Sequence, residues 1–297
     1  MQYLQVMIKG LAMGAADVVP GISGGTLAFI LGIYERLLAA VSSFNMVAVR
    51  LLLKGQFRQL WKHVDGAFLG SLFGGVLLSI FMLANLVSWL LINRPVPLWA
   101  FFNGLMIAAL PMLFRSVKWN TYRGGLFLLG IAFAVFIGML TPTTFQPEPY
   151  MFFFAGAIAI CAMILPGTSG SFMLVIMGMY APVLLAVTEF QLGVLFLFVA
   201  GCVVGLLSFA RFLRWLLRYY HDNSLSFLIG IVAGSFYKIW PWQHQHQVYL
   251  PSQYSKLVAP AEIGLVVLTF SAGILLMIGL LNLEKLFKQQ AQTESAP

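Results

Sequence analysis

The residues of this chain best suited to chemistry sit at two breaks in apolar sequence. Pro20-Gly21-Ile22-Ser23-Gly24-Gly25-Thr26 interrupts the run from Ile8 to Val41, and Pro166-Gly167-Thr168-Ser169-Gly170-Ser171 interrupts the run from Phe154 to Val187. Proline removes a backbone donor and glycine weakens a helix, so neither stretch continues as regular helix. Pro20, Gly21, Pro166 and Gly167 are the turn or hinge residues. Each break is followed by the start of a half-helix, whose first N–H groups lack partners and carry the positive end of the dipole. Ser23, Thr26, Ser169 and Ser171 add hydroxyl donors there, and Gly24, Gly25 and Gly170 allow close backbone approach. Such an end binds phosphate or carboxylate. The plainer alternative is that Pro-Gly-Ser only turns the chain and the hydroxyls cap helices.

The two runs are copies. Aligned without gaps 146 positions apart, they agree at twelve of thirty-four positions, including Pro20/Pro166, Gly21/Gly167, Ser23/Ser169, Gly24/Gly170, Gly32/Gly178 and Tyr34/Tyr180. Broken apolar segments in corresponding places of two halves point to a transporter's binding site. Charge breaks the symmetry: Asp17 and Glu35 are answered by Met163 and Ala181. Ionisable groups inside apolar segments are costly and mark function. Asp17 and Glu35 therefore have two readings, proton coupling or balancing Arg36 or Lys9. The bland alternatives are a Glu35–Arg36 pair at the membrane edge and an N-cap or turn contact for Asp17. Lys9 either attracts an anionic head group or snorkels to the interface.

The elements that must hold these tips are apolar helices. The chain is 61% hydrophobic and 9% charged, with mean hydropathy +0.92, against roughly 25% charged in a soluble domain. This is the composition of an all-α polytopic membrane protein. The net charge of +8 is read as a topology signal rather than a nucleic-acid footprint. Hairpins are expected over 4–41 and 151–187, with spans over 66–92, 98–114, 124–141, 193–212, 225–240 and 262–283. The whole is one membrane domain, with a first repeat over 1–141, a second over 142–283 and an unstructured cytoplasmic tail over 284–297. The first apolar run is interrupted by motif residues and lacks a small-residue cleavage site, which argues against a cleaved signal peptide.

Basic residues set the orientation. If each broken segment leaves on the side it entered, Arg50/Lys54/Arg58/Lys62, Arg115/Lys118/Arg123, Arg211/Arg214/Arg218 and Lys285/Lys288 all fall on one face, as the positive-inside rule requires. The arms, about 15 to 18 residues or roughly 22 to 27 Å, fall short of the ~30 Å core, which favours re-entrant hairpins. One hairpin plus three crossings makes each half odd, so the second half is inverted relative to the first and the tips meet near the midplane. Both termini are then cytoplasmic. Phe101-Phe102-Asn103-Gly104 resembles Phe227-Leu228-Ile229-Gly230, and Gly70/Gly74 and Gly201/Gly205 read as helix-packing pairs.

Other signals are thin. Cys161 and Cys202 show no paired metal spacing, and His244 and His246 beside Trp240-Pro241-Trp242 lack a third ligand. The tryptophans read as an interface belt or a substrate entrance. Arg211, Arg214 and Arg218 anchor topology or contact a head group. No P-loop is present, so no ATP motor is encoded. No metal or cofactor is expected.

The stretches KGLAMGAADVVPGISGGTLAFILGIYERL and LPGTSGSFMLVIMGMY resemble the paired signatures of a bacterial and archaeal membrane family, the polyprenyl-phosphate translocases called PopT, and the resemblance spans essentially the whole chain. Lys9, Gly10, Gly14, Asp17, Pro20, Gly21, Ser23, Gly24, Gly25, Thr26, Gly32, Tyr34 and Glu35 match the first motif, and Pro166, Gly167, Ser169, Gly170 and Ser171 the second. The resemblance implies a flippase of the bacterial inner membrane that returns undecaprenyl phosphate from the outer to the inner leaflet, so that the lipid carrier of peptidoglycan precursors is reused. The substrate phosphate would dock on Ser23, Gly24, Gly25, Thr26, Ser169, Gly170 and Ser171, with Lys9, Asp17, Glu35 and Arg36 in coupling or head-group contact. The implied partners are the lipid, the membrane and protons; oligomeric state is open. The rival readings are an undecaprenyl-pyrophosphate phosphatase and a small-anion carrier. Phosphatase chemistry wants a cation clamp and an acid or base at the turn, and neither tip carries Arg or His.

Overall fold

The computed structural model describes the backbone of residues 2–17, 23–140, 147–244 and 247–294, with side chains over the same ranges except 2, 84 and 283–294. Pro20, Gly21 and His246 lie outside the described residues. The first copy forms α1 (Gln2–Asp17), α2 (Gly24–Ile30) and α3 (Tyr34–Ser42), followed by the short helices α4 (Met46–Leu53) and α5 (Phe57–His63). Long apolar helices come next, α6 (Gly66–Asn93), α7 (Pro95–Arg115) and α8 (Thr121–Met139). The second copy forms α9 (Pro149–Ile164), α10 (Gly170–Ile176) and α11 (Tyr180–Thr188), and leads into α12 (Leu192–Tyr219) and α13 (His221–Gly234). A two-strand ribbon, β1 (Gln243–His244) and β2 (Gln247–Val248), precedes α14 (Pro251–Leu257) and α15 (Ile263–Glu294).

Each copy breaks twice, not once. Beyond the Pro-Gly break, α2 ends after about two turns and α3 leaves at 119°, while α10 and α11 meet at 108°. Both bends are Schellman stops with glycine in the left-handed region, Gly32 at φ 68 and Gly178 at φ 66. Ile33 N–H bonds Ala28 O at 3.0 Å and Gly32 N–H bonds Phe29 O at 3.2 Å; Met179 N–H bonds Leu174 O at 2.8 Å and Gly178 N–H bonds Val175 O at 3.0 Å. Leu174 and Met179 add the apolar contact typical of this stop within one buried cluster. The identity Gly32/Gly178 between the copies is therefore a backbone requirement. Gly32→Ala is expected to lower stability by about 1–2 kcal/mol through left-handed strain, read as a lowered unfolding midpoint in detergent; an unchanged midpoint would refute the assignment.

The duplication continues in how the helices touch, through glycines that admit a backbone carbonyl. Gly10 seats on Leu72 O and Gly75 on Met7 O; at equivalent positions Gly156 seats on Phe198 O and Gly201 on Phe153 O. Likewise Gly104 seats on Phe270 O and Gly273 on Phe101 O, while Gly230 seats on Phe127 O and Gly130 on Phe227 O. Gly75/Gly201, Leu72/Phe198, Phe101/Phe227 and Gly104/Gly230 all stand 126 positions apart. So α1 packs on α6 as α9 packs on α12, and α7 packs on α15 as α13 packs on α8. The last two pairs each join a helix of one copy to a helix of the other. The packing role read for Gly201/Gly205 is met at α9, where Gly205 faces Ala157 O at 2.7 Å. Its supposed counterpart differs: a side chain at Gly74 would meet nothing, Gly70 faces Trp61, and Gly75 makes the helix contact.

The chain forms two compact units, residues 1–84 with 119–235, and 85–118 with 236–297. The first holds both broken segments. In the second, Val96, Ala100, Tyr254 and Val266 form a core, Asn103 Nδ2 donates to Trp99 O at 2.9 Å and Ile239 O at 2.5 Å, and Arg94 pairs with Glu262. The indoles close its loop: Trp240 Nε1 donates to Tyr249 O and Trp242 Nε1 to Ala261 O, each at 2.9 Å. Among the described residues, five helices are long and apolar enough to cross a membrane, α6, α7, α8, α12 and α15, and the two bent pairs bring this to seven if each counts as a span. The chain is thus an all-α polytopic membrane protein. Three boundaries differ from the sequence reading. α12, read over 193–212, runs on to Tyr219. α13 stops at Gly234 after 14 residues, continuing only as a 3-10 turn at Ser235–Tyr237. α15 runs unbroken to Glu294 through a stretch read as unstructured tail.

Candidate functional site

The first tip is organised by its own arm. Asp17, the last residue of α1, accepts the N–H of Gly24, the first residue of α2, at 2.5 Å. Lys9 on the same arm donates Nζ to the carbonyl of Leu31, just past the other end of α2, at 2.7 Å. Eight residues of helix span about 12 Å and the seven of α2 about 10 Å, so α1 places an anion at the positive end of α2 and a cation at its negative end. Both placements match the dipole. Gly24 is required here, because a side chain would run into both Asp17 oxygens. Ser23 is extended, as an N-cap residue is, but makes no side-chain cap; Asp17 takes that place. The cap contact given as the bland alternative for Asp17 is present, and Asp17 pairs there with a backbone N–H.

The two tips interlock. Ser23 Oγ donates to Met163 O at 3.1 Å, and the N–H of Gly167 donates to Thr26 Oγ1 at 2.8 Å. A side chain at Gly25 would strike Met163 O and Ile164 O at 2.7 and 2.8 Å. Gly167, at φ 85, lies against Ile231 O. Thr168 donates to Ala162 O and Leu165 O, and Ser169 and Ser171 share a hydrogen bond at 3.0 Å. Ser23, Thr26, Thr168 and Ser169 are buried, whereas Ser171 is exposed. The sequence reading treated these hydroxyls as a uniform set of donors for a ligand. The Ser23 hydroxyl instead spends its proton on the opposite copy. The second tip lacks the arm clamp, because Ala155 and Met163 stand where Lys9 and Asp17 do.

Glu35 and Arg36 are not paired with each other. Arg36 makes a bidentate bridge to Asp65, Nε–Oδ2 2.8 Å and Nη2–Oδ1 3.2 Å, and lies 4.4 Å over the Phe68 ring. Asp65 adopts φ 51 to present that carboxylate. Glu35 meets His221 Nε2 at 3.1 Å, and His221 leads on to Asp222, which pairs with Arg123 at 2.9 Å. Their partners thus lie at the start of α6 and on α13, not on α2 or α10. Arg211 Nη2 donates to Phe44 O and Arg214 Nη1 to Ser42 Oγ, both at 2.8 Å, which ties α12 to the end of α3. Sequence reasoning missed the Lys9–Leu31 clamp and the Arg36–Asp65 bridge. The eight-residue spacing of Lys9 and Asp17 against a seven-residue half-helix was the available signal for the first; nothing local marks the second. Among the described residues, no cluster of His, Cys, Asp or Glu has the makeup of a metal site.

The amino-acid sequence has known relatives. The chain is 49% identical over 244 residues to the polyprenyl-phosphate transporter of Vibrio cholerae serotype O1, covering 82% of this chain and 79% of that protein. It is 31% identical over 254 residues to the polyprenyl-phosphate transporter of Staphylococcus aureus, covering 79% of this chain and 85% of that one. No solved structure matches it. A family model described as VCA0040-like, undecaprenyl phosphate translocase-like, matches residues 13–257, and the chain belongs to that family.

Proposed function

We propose that this protein is a lipid transporter that carries polyprenyl phosphate across the bacterial cytoplasmic membrane, returning undecaprenyl phosphate from the outer to the inner leaflet for reuse in peptidoglycan synthesis. The observation that carries the reading is the interlock itself: two broken segments from duplicated halves meet through Thr26–Gly167 and Ser23–Met163. The transporter names of both relatives support the substrate class. The two halves act as inverted repeats with re-entrant hairpins and cytoplasmic termini, a topology favoured by the one-sided basic clusters.

The phosphate docks first on the second tip, where Gly170 and Ser171 start a half-helix free of any carboxylate clamp. It then completes its site on Gly24, Gly25 and Thr26 as Asp17 gives way. Asp17 is an internal stand-in for the phosphate: a fixed anion on the same N–H group. Protonating it removes the negative charge and weakens the charge-assisted bond to the Gly24 N–H, which is how protons ease the exchange. The interlocking hydrogen bonds are the contacts that a gating movement must break and remake. Gly32 and Gly178 are the matching bends about which the half-helices turn, and Pro166 and Gly167 form the hinge of the second tip.

The test is transport by purified protein in vesicles loaded with labelled undecaprenyl phosphate, followed by its sidedness. Ser169→Ala/Ser171→Ala should slow transport at least about tenfold, some 1.4 kcal/mol of barrier; a wild-type rate would remove the tip from the site. Release of phosphate from undecaprenyl pyrophosphate by the same preparation would make the protein an enzyme instead.

A further inference from the structure

Away from the tips, the first unit carries an apolar groove of about 530 Å³, a size at which pockets hold ligands. Phe44 follows α3, Trp61 comes from α5, Gly70 and Phe73 from α6, and Val203 and Leu207 from α12; each lining residue is apolar or glycine. Glycine makes the space. The Trp61 indole lies flat against Gly66, and at Gly70 a Cβ would only just reach that ring, at 3.6 Å. The groove ends on positive charge. Arg211 stands one turn beyond Leu207 on the same face of α12, and its guanidinium is held by the carbonyl of the lining residue Phe44. Arg214 is held by Ser42, next to the lining residue Val41. Both arginines are exposed, and each keeps donors beyond the one so used. Arg50, Lys54, Arg58 and Lys62, all exposed and spaced by four, add cations from α4 to α5, on either side of Trp61 in sequence.

The occupant must therefore be a hydrocarbon chain joined directly to an anionic head. We infer that the groove holds the first isoprenyl units of a polyprenyl phosphate, with its phosphate on Arg211 and Arg214. A two-chain phospholipid fits less well, since it brings ester carbonyls to a wall that offers them no donor. The site is distinct from the tips and rests on the transport reading above. It is where the lipid docks on the basic face of the protein, head at the interface and chain along α6 and α12.

The test uses the full-length protein in vesicles and an undecaprenyl phosphate bearing a photoreactive group in its first isoprenyl units, with labelled peptides identified by mass spectrometry. Label should fall on the peptides carrying Trp61 to Phe73 and Val203 to Leu207. Gly70→Leu, which fills the groove from α6, and Val203→Phe, which fills it from α12, should each cut that label about tenfold. Arg211→Gln/Arg214→Gln should cut it similarly for the phosphate and leave an uncharged polyprenol probe unaffected. Labelling of the groove undiminished by both filling variants overturns the assignment. So does equal competition by phosphatidylglycerol, or displacement of the probe by inorganic phosphate alone. If wild-type protein moves undecaprenyl phosphate but the groove stays unlabelled, this site falls and the transport reading stands. If wild-type protein moves no undecaprenyl phosphate, the transport reading falls.

Discussion

Asp17→Asn is expected to slow undecaprenyl phosphate transport about a hundredfold, or some 2.7 kcal/mol, while leaving the protein folded. The amide oxygen of asparagine still accepts the Gly24 N–H that Asp17 holds at 2.5 Å, so α2 keeps its seat. What disappears is the negative charge at the positive end of α2, and with it a group that protonation can release. On the proposed coupling, wild-type transport should rise as pH falls, because protonation weakens the hold of Asp17 on the Gly24 N–H and lets the incoming phosphate compete for it; the Asp17→Asn protein should show a flat profile. Lys9→Gln supplies the contrast. It weakens the other end of α2, at Leu31 O, and should lower rate and stability together without flattening the pH response. A wild-type rate and pH profile from Asp17→Asn would leave Asp17 as a helix cap and nothing more.

The second large effect concerns stability. Gly201→Val should destabilise the protein by about 3 kcal/mol or more, at the upper end for overpacking, because any Cβ at Gly201 overlaps the carbonyl of Phe153 and backbone cannot move aside as a side chain can. Gly75→Val should do the same against Met7 O, since the seat is duplicated. Gly74→Val is the control: nothing lies within 4 Å of its Cβ, and replacing a helical glycine there should be neutral or slightly stabilising. Thermal unfolding in detergent distinguishes the three. Equal midpoints for Gly74→Val and Gly75→Val would mean that α1 does not pack on α6 through this glycine.

Much of the site was legible in the chain because it is local. A proline, two glycines and a serine inside an apolar run break a helix whatever surrounds them, and a second copy of the same break says that the first is no accident. The Gly32/Gly178 identity was equally visible, but its meaning was not. A glycine in a helix-like run reads as flexibility or packing until the left-handed φ and the Schellman hydrogen bonds are seen. Among the glycines of α6, Gly70, Gly74 and Gly75 look alike in sequence. Only the position of the α1 backbone distinguishes the one that packs. The reading of Glu35 and Arg36 as mutual partners also followed from adjacency, yet neighbours on a helix point about 100° apart and do not face each other. Arg36 instead found Asp65 twenty-nine residues on.

Composition and periodicity by themselves determined that this is a helical membrane protein built on a duplicated, interrupted plan, since the cost of unpaired backbone in hydrocarbon leaves few alternatives to helices. Tertiary structure alone decided which partner each polar group takes. Inside an apolar bundle a hydroxyl, a carboxylate or an ammonium left without a partner is costly, so each takes its match wherever the fold brings one within about 3 Å. That is why Ser23 and Thr26 end on the far copy and Arg36 on Asp65, pairings that the linear order of residues could not specify, whereas the spacing of Lys9 and Asp17 already hinted at their seats on either end of α2.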